Sequence, residues 1–418
     1  MGSVQPWSLT ARWILPVEGP PLERGIVTIR STRILAVEPP GPRPADHDLG
    51  NVAILPGLVN AHTHLDLSAL ADTSLERQRR AFAGAPGLYE KLPFTDWLRT
   101  VIAQRRNLRP DQVRRNIRAN LKQCLAAGTT LLADISSQGL SWDILAKTNR
   151  IRAVVFAELL GLPRTRAHQT WAAACEWVRN HPGGKSCRPG LSPHAPYSVR
   201  ASVFGATARL SGMQQIPLAI HLAETREELE LLEHHRGPFV PFLSELGVWD
   251  AQGLAKGIDE VFRLARPAAN VLFIHGNYLD APAGFSPGAT LVYCPRTHAA
   301  FGHEPHPFRR LLAEGVRIAL GTDSLASNPD LDVLAEARFL YRHYPDLPPA
   351  TLLRMLTLSG AEALGWEKET GSLAPGKSAD LVVLPLPLEM DSDPYEAIFA
   401  SSLPIQATLF RGKWIQKT

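Results

Sequence analysis

Eight short apolar runs, each followed by a longer stretch of helical periodicity, constrain this chain more than any other feature. They read "VAILPGLVN", "TTLLADI", "RAVVFAELLG", "RPGLSPHAP", "PLAIHLAE", "NVLFIHGN", "ATLVYCP" and "VRIALGTDS". Strands alternating with helices predict a parallel sheet. Eight such units over roughly 300 residues suit a (β/α)8 TIM barrel, with a doubly wound open sheet as the second choice. The flanks have a different texture. Residues 1–56 and 366–418 read as short strands broken by Gly and Pro, which predicts one small β-sandwich domain assembled from both termini around a barrel at 57–365. The fold class expected is therefore α/β.

Where the polar residues fall is more telling. The runs end in His62 and His64, Asp134, Glu158, His194, His221 with Glu224, His275, Cys294 and Asp323. In a barrel the C-terminal ends of the strands converge on one mouth. His62 and His64 stand two apart on an extended run, so both side chains share a face and can reach one cation. Neutral imidazole nitrogen suits Zn or Fe. The spacing alone leaves a chance H-x-H pair open; histidines and an aspartate at other strand ends make chance a poor account.

Composition narrows the class. Of 418 residues, 45% are hydrophobic and 20% charged, which excludes a disordered, collagen-like or coiled-coil chain. No apolar stretch approaches the ~18 residues of a membrane-spanning helix. Met1–Thr10 lacks a basic segment followed by an apolar one, so no secretory signal is expected. Cys124, Cys175, Cys187 and Cys294 form no C-x-x-C pair and read as reduced thiols of a cytoplasmic protein. The net charge is only +4. The densest basic stretch, Arg105 to Arg118, places Val113, Ile117, Leu121 and Leu125 on one helical face. Its arginines are therefore expected to be a solvated surface, and no nucleic-acid reading motif accompanies them.

The words "PGLVNAHTHLDLS", "SPHAPYSV", "IHLAE", "FIHGN" and "LGTDSLASNPDLDVLAEAR" occur in the order and context of the amidohydrolase superfamily, and the sequence resembles its cytosine-deaminase-like branch of aminohydrolases and chlorohydrolases. The closing "GSLAPGKSADLVVL" is similar as well, so the resemblance covers nearly the whole chain. It implies that His62, His64, His221 and Asp323 hold one divalent metal ion, with Zn preferred and Fe as the alternative. It implies that His275 stands beside the metal and that Glu224 shuttles protons. Related binuclear hydrolases end their fourth strand in a carboxylated lysine; here that place reads "GLSPHAPYS", so one metal is expected. Within the branch the words look most like deaminases of aminodeoxyfutalosine.

The chemistry agrees with those roles. A bound divalent ion can lower the pKa of water to about 7, giving hydroxide at neutral pH. Asp323 can take that water's proton, and Glu224 can protonate a ring nitrogen and then the leaving amine. The expected reaction is hydrolytic deamination of an amino-substituted, purine-like heteroaromatic molecule. Loss of halide or opening of a cyclic amide would use the same site, and a catalytically dead scaffold barrel is the third alternative. The expected partner is a small molecule, neither nucleic acid nor membrane, and self-association stays open.

Substrate contacts are expected from Trp97, Glu158, His194 and His298. Trp97 in "PFTDWLRTVI" either stacks on a heteroaromatic ring or packs on the barrel. Acidic residues that meet ribose hydroxyls in some relatives are replaced here by Arg99, Thr100 and Val101. Glu158 either meets substrate hydroxyl or amino groups or is a surface glutamate. His298 takes the place of an asparagine usual in relatives, in "CPRTHAAFGHEPH". His303 and His306, in the same Gly/Pro-broken segment, are expected to belong to a lid or substrate loop rather than a second metal cluster. Gly371–Ser378 matches a P-loop pattern but leads into a strand, so it is read as a turn. In "ETREELELLEHH" only Glu224 is read as functional.

Overall fold

The computed structural model describes residues 5–68, 93–280, 284–388 and 393–417. Residues 1–4, on which part of the reading of Met1–Thr10 falls, lie outside the described residues. Eight parallel strands form the central sheet: Leu58–Thr63 (β1), Thr129–Ser136 (β2), Arg152–Leu159 (β3), Cys187–Pro193 (β4), Leu218–Leu222 (β5), Val271–His275 (β6), Ala289–Tyr293 (β7) and Arg317–Leu320 (β8). Each pairs with its sequence neighbours. The ring closes between its first and last strands. Thr63 bridges Asp323 in parallel, and the N–H groups of Thr322 and Asp323 both donate to the His62 carbonyl at 3.1 Å.

The first apolar run divides at Pro56 and Gly57, the boundary drawn in the sequence between terminal segment and barrel. Val52–Pro56 belongs to a terminal sheet and pairs antiparallel with Leu381–Pro385, while β1 starts after Gly57. A Cβ on Gly57 would lie 2.0 Å from the Thr130 hydroxyl, so only glycine lets the chain cross against β2 there. The six-stranded terminal sheet runs from Lys413–Lys417 through Leu381–Pro385 and Val52–Pro56 to Leu22–Glu23. A four-stranded sheet is built from residues 7–48 alone. Leu9, Val27, Ile29 and Ile34 of the smaller sheet bury against Ile54, Leu381 and Leu409 of the larger, so both ends of the chain share one core.

Inside the barrel, alternation puts Val154 and Phe156 beneath Glu158 on β3, and Ala219 beneath His221 on β5. Gly190 on β4 leaves the room Phe156 fills; a Cβ there would come within 2.5 Å of the ring. Outside, the helix Pro110–Ala126 buries Val113, Ile117, Leu121 and Leu125, as its periodicity predicts.

The arginine-rich stretch departs from expectation in one respect. It is two helices, because Phe94–Arg106 ends before Pro110 starts the next one. Arg106, Arg109, Arg114, Arg115 and Arg118 are exposed, but Arg105 closes the earlier helix and turns inward to Asp66 and Glu158. Gly371–Ser378 is a turn before the strand Leu381–Pro385, and Lys377 Nζ bonds Ser372 Oγ at 2.6 Å and Glu18 at 3.1 Å rather than presenting a phosphate cradle. No helix among the described residues is long and apolar enough to cross a membrane.

Candidate active site

His62 lies on β1 and His64 one residue past its end, both facing the barrel mouth with ring centroids 4.9 Å apart. β5 adds His221, whose Nε2 is 3.4 Å from Nε2 of His64. Among the described residues these three form the one group of His, Cys, Asp or Glu side chains whose ligand atoms all lie within 4.8 Å of one another. Asp323 follows β8 with φ of 60°, a left-handed conformation rare outside glycine. That turn carries Oδ1 to 3.5 Å from His62 Nε2 and 3.7 Å from His64 Nε2. Ser327 Oγ donates to the other oxygen, Oδ2, at 2.6 Å.

The imidazoles are prepared as neutral donors. Burial, reinforced by neighbouring His221 and His194, pushes the pKa of His62 well below its ordinary value. Burial does the same to His64 and His221. His221 Nδ1 donates to the His194 carbonyl at 3.1 Å, which leaves the Nε2 lone pair pointing at His64. Both ring nitrogens of His62 are buried and have no hydrogen-bond partner among the described residues. Buried polar atoms without partners are rare. Three neutral imidazoles and a carboxylate, one of them so orphaned, fit a divalent metal ion.

Behind Asp323 lies a buried network. Asn328 Nδ2 donates to the Thr322 carbonyl at 2.6 Å and to Glu336 at 2.7 Å. Arg296 Nε donates to Glu336 at 2.7 Å, and its other nitrogens donate to Asp330 at 2.5 and 3.0 Å. This locks the turn after β8 onto the helix that follows.

Glu224 and His275 meet beside the imidazoles, with Glu224 Oε1 3.4 Å from His275 Nε2. Two more left-handed residues aim them: Ala223 at φ of 51° and His275 at 68°. Strain of this kind persists only where the surroundings over-determine it. Glu228 supplies part of the surroundings, because its carboxylate accepts the N–H groups of Ala223 at 3.2 Å and Glu224 at 3.0 Å. Asn277 Nδ2 donates to the Glu224 carbonyl at 2.9 Å. Burial, with the charges of Asp323 and Glu228, pushes the Glu224 carboxyl well above the usual range. Burial pushes Glu228 up to about 7, against the pull of those two N–H groups.

The remaining residues singled out in the sequence lie around this centre. His194 packs its ring 4.7 Å from that of His221, and its Nδ1 is 2.9 Å from Ser198 Oγ. Burial, with His221 nearby, brings its pKa down to about 3. Glu158 is partly buried rather than a surface glutamate: Ser137 donates to it at 2.7 Å and Arg105 at 3.3 Å. Burial raises its pKa, but Arg105, His194 and His64 outweigh that and bring it to about 2. Trp97 is buried among Phe94, Val101 and Phe301, and its Nε1 donates to the carbonyl of Ala326, three residues beyond Asp323, at 3.3 Å. Arg99 points away, to Asp96 and Glu245.

His298 has Nε2 2.9 Å from the Glu304 carbonyl, and Nδ1 3.5 Å from Tyr293 Oη. His303 pairs with Tyr278 Oη at 3.1 Å. His306 departs from the expectation of a lid. It is buried, stacked on Tyr293 with ring centroids 3.8 Å apart, and bonded to the main chain of His275. Asp134, at the end of β2, faces away from the histidines and accepts the N–H of Leu65 at 2.8 Å, which shapes the turn that carries His64.

Sequence reasoning missed Glu228, and it assigned His306 to a loop and Arg105 to a solvated surface where the structure turns both inward. Thr225 and Glu228 did carry a signal, the T-x-x-E of a helix start, and Thr225 Oγ1 does accept the Glu228 N–H at 3.2 Å.

The model of the amidohydrolase family matches residues 53–415. A 5-methylthioadenosine/S-adenosylhomocysteine deaminase of Moorella thermoacetica is 30% identical over 393 residues, 89% of this chain and 83% of the relative. The enzyme of the same name from Nitratidesulfovibrio vulgaris is 28% identical over 393 residues, 87% of this chain and 80% of the relative. Among solved structures, the aminofutalosine deaminase of Helicobacter pylori superposes with a TM-score of 0.80 at 22% identity, covering 99% of this chain and 100% of that one. An adenosine deaminase from Xanthomonas campestris with bound zinc gives 0.75 at 24% identity, covering 98% and 92%.

Proposed function

This chain belongs to the amidohydrolase family, and from that premise we propose that it is a metal-dependent deaminase of an adenine-bearing nucleoside derivative. The observation that carries the reading is the placement of Glu224 and His275, in contact with each other, beside the cluster of His62, His64, His221 and Asp323. The curated relatives named above act, by their names, on 5-methylthioadenosine and S-adenosylhomocysteine, which supports an adenine ring as the group attacked.

The ion assigned to His62, His64, His221 and Asp323 is zinc, which suits three imidazoles and one carboxylate. Bound there, it would supply Lewis-acid activation of the attacking water. The protein's own groups do the rest. Glu224, whose protonated form burial favours, donates from its carboxyl to a ring nitrogen beside the amino-bearing carbon, which makes that carbon electrophilic. Asp323 Oδ1 takes a proton as the water oxygen bonds to the carbon. Ser327 donates to Oδ2 and so fixes the orientation of the carboxylate. His275 donates a hydrogen bond to the developing oxyanion. The carbon–nitrogen bond then breaks, the amine leaves as ammonia with the proton passed from Asp323, and the proton left on the added oxygen returns to Glu224 as that oxygen becomes the ring carbonyl.

Glu158, fixed by Arg105 and Ser137 at the mouth, is assigned to substrate hydroxyl groups, the role that Arg99 cannot fill. Trp97 and His194 are assigned to the walls around the ring, and His298 to support of the loop after β7. The four thiols are free, in keeping with a cytoplasmic setting.

Ammonia release tests the reading directly. Metal-loaded protein would be offered 5-methylthioadenosine, S-adenosylhomocysteine, adenosine, aminodeoxyfutalosine, cytosine and an amino-triazine. Release from one or more of the adenine compounds, lost in Glu224→Ala, is the expected result. Release only from the triazine or cytosine, or none at all, would overturn it.

A further inference from the structure

The barrel end opposite the histidines holds a cavity of about 450 Å³, where the starts of β3 and β4 meet the terminal sheets. Arg33, Arg152, Lys185, Arg188 and Arg411 line it together with Trp366, and Glu369 is the one carboxylate among the described lining residues. Two of these cations are compensated: Arg33 pairs with Glu369 at 2.8 Å, and Arg152 with the buried Asp380. Lys185, Arg188 and Arg411 form no ion pair among the described residues.

Two of the arginines, Arg188 and Arg152, are held in place by their surroundings. The Arg188 guanidinium lies 3.5 Å above the centroid of the Trp366 ring, and its Nη1 donates to the Gly365 carbonyl at 2.6 Å. The Arg152 guanidinium stands 5.5 Å from the same ring and 5.0 Å from Phe410. One indole therefore gathers two guanidinium groups. Burial holds Arg188 below its ordinary pKa, with Arg152 adding to the effect and Glu369 and Glu367 opposing it. The Arg152 Nε and Trp366 Nε1 protons are buried with no acceptor among the described residues.

Like charges lining one cavity repel, and the repulsion is relieved when a counter-anion sits between them. A guanidinium fork pre-set by stacking matches the oxygens of a phosphoryl group and loses little freedom in binding it. We propose that this cavity is a binding site for a small multivalent anion of the phosphoryl class, held by Arg188, Arg411 and Lys185. The site joins barrel strands to both terminal sheets, so its occupant stabilises the folded chain by linkage. The proposal is independent of the deaminase reading.

The test is calorimetric titration of the metal-loaded full chain with inorganic phosphate, and separately with succinate, at constant ionic strength. One saturable phosphate site per chain is expected, at least about tenfold tighter than succinate. Arg188→Gln and Arg411→Gln should each weaken it by about tenfold. Arg114→Gln, an exposed helix change, should leave it unaltered. His62→Ala should keep it, which separates this site from the metal centre. Phosphate should raise the melting temperature of the wild type but not of the double Arg188→Gln/Arg411→Gln variant. Arg411→Glu, at a turn, guards against misfolding at Arg188. No saturable heat up to about 10 mM phosphate, equal affinity for succinate, or binding that survives both substitutions would each overturn the proposal.

Discussion

His306 Nε2 donates a hydrogen bond to the main-chain carbonyl of His275 at 2.8 Å. The direction is fixed because His306 Nδ1 accepts the Phe308 N–H at 3.0 Å, so the ring proton sits on Nε2. His275 is the strand-end residue with φ of 68°, and this bond holds the carbonyl that its left-handed turn displaces. His306 is thus a positioning residue for the imidazole that meets Glu224. His306→Ala should lower kcat about tenfold with KM little changed, because the substrate pocket is untouched while the His275 ring is freed. His306→Gln, which can still donate, should recover part of the loss. A fall in KM and kcat together, or no recovery by Gln, would count against the positioning role.

Glu224→Gln removes the only proton the buried carboxyl can give while keeping its shape. The loss in kcat should be roughly 10²–10⁴-fold, the range for general acid–base help. Metal content, read by atomic absorption, should match the wild type, because Glu224 is not among the clustered ligands. Loss of metal in this variant would move Glu224 into the ligand set.

Much of this centre is legible in the sequence because strand-end chemistry is local. His62, His64, His221, His275 and Asp323 each close an apolar run, and alternation alone places the first two on one face. What the sequence does not carry is long-range or conformational. His306 acts on a carbonyl 31 residues away, and nothing in its own neighbourhood marks that bond. Arg105 looks like one more surface arginine until the break before Pro110 reveals it as a helix end turned inward. Asp134, polar at a strand end like the others, lies on the outward face, and the turn to Leu65 rather than the metal centre claims it.

His62 offers the clearest metal test. Neither of its ring nitrogens has a hydrogen-bond partner among the described residues, which leaves one of them for an ion. Removing the ion with a chelator should lower the melting temperature of the wild type, and zinc should restore it. In His62→Ala the chelator should have little effect, because the bound fraction is already small. Equal chelator shifts in both proteins would place the stabilising ion elsewhere.

Glu158→Gln should act on substrate rather than on chemistry. It keeps the side-chain volume but removes the charge opposite Arg105. For a nucleoside substrate kcat/KM should fall about tenfold or more, while the free base adenine, lacking the hydroxyl groups, should show little change. Equal losses on both substrates would mean that Glu158 supports the fold of the mouth instead.

Asp134 sets a pH dependence of stability that is separate from catalysis. Burial, with the nearby charge of Asp66, raises its pKa to about 8, although Ser141, the Leu65 N–H and Thr63 pull the other way. In the unfolded chain the group titrates near 3.9. Between those values the folded state binds a proton that the unfolded state has released. Stability from this group is therefore full below about pH 4, falls as pH rises through the window, and levels off above about 8. Asp134→Asn keeps the acceptor for Leu65 and cannot ionise. Its unfolding free energy should match the wild type near pH 4 and exceed it near pH 9, measured by urea denaturation at both. Parallel pH profiles for the two proteins would show that Asp134 is already ionised in the folded chain.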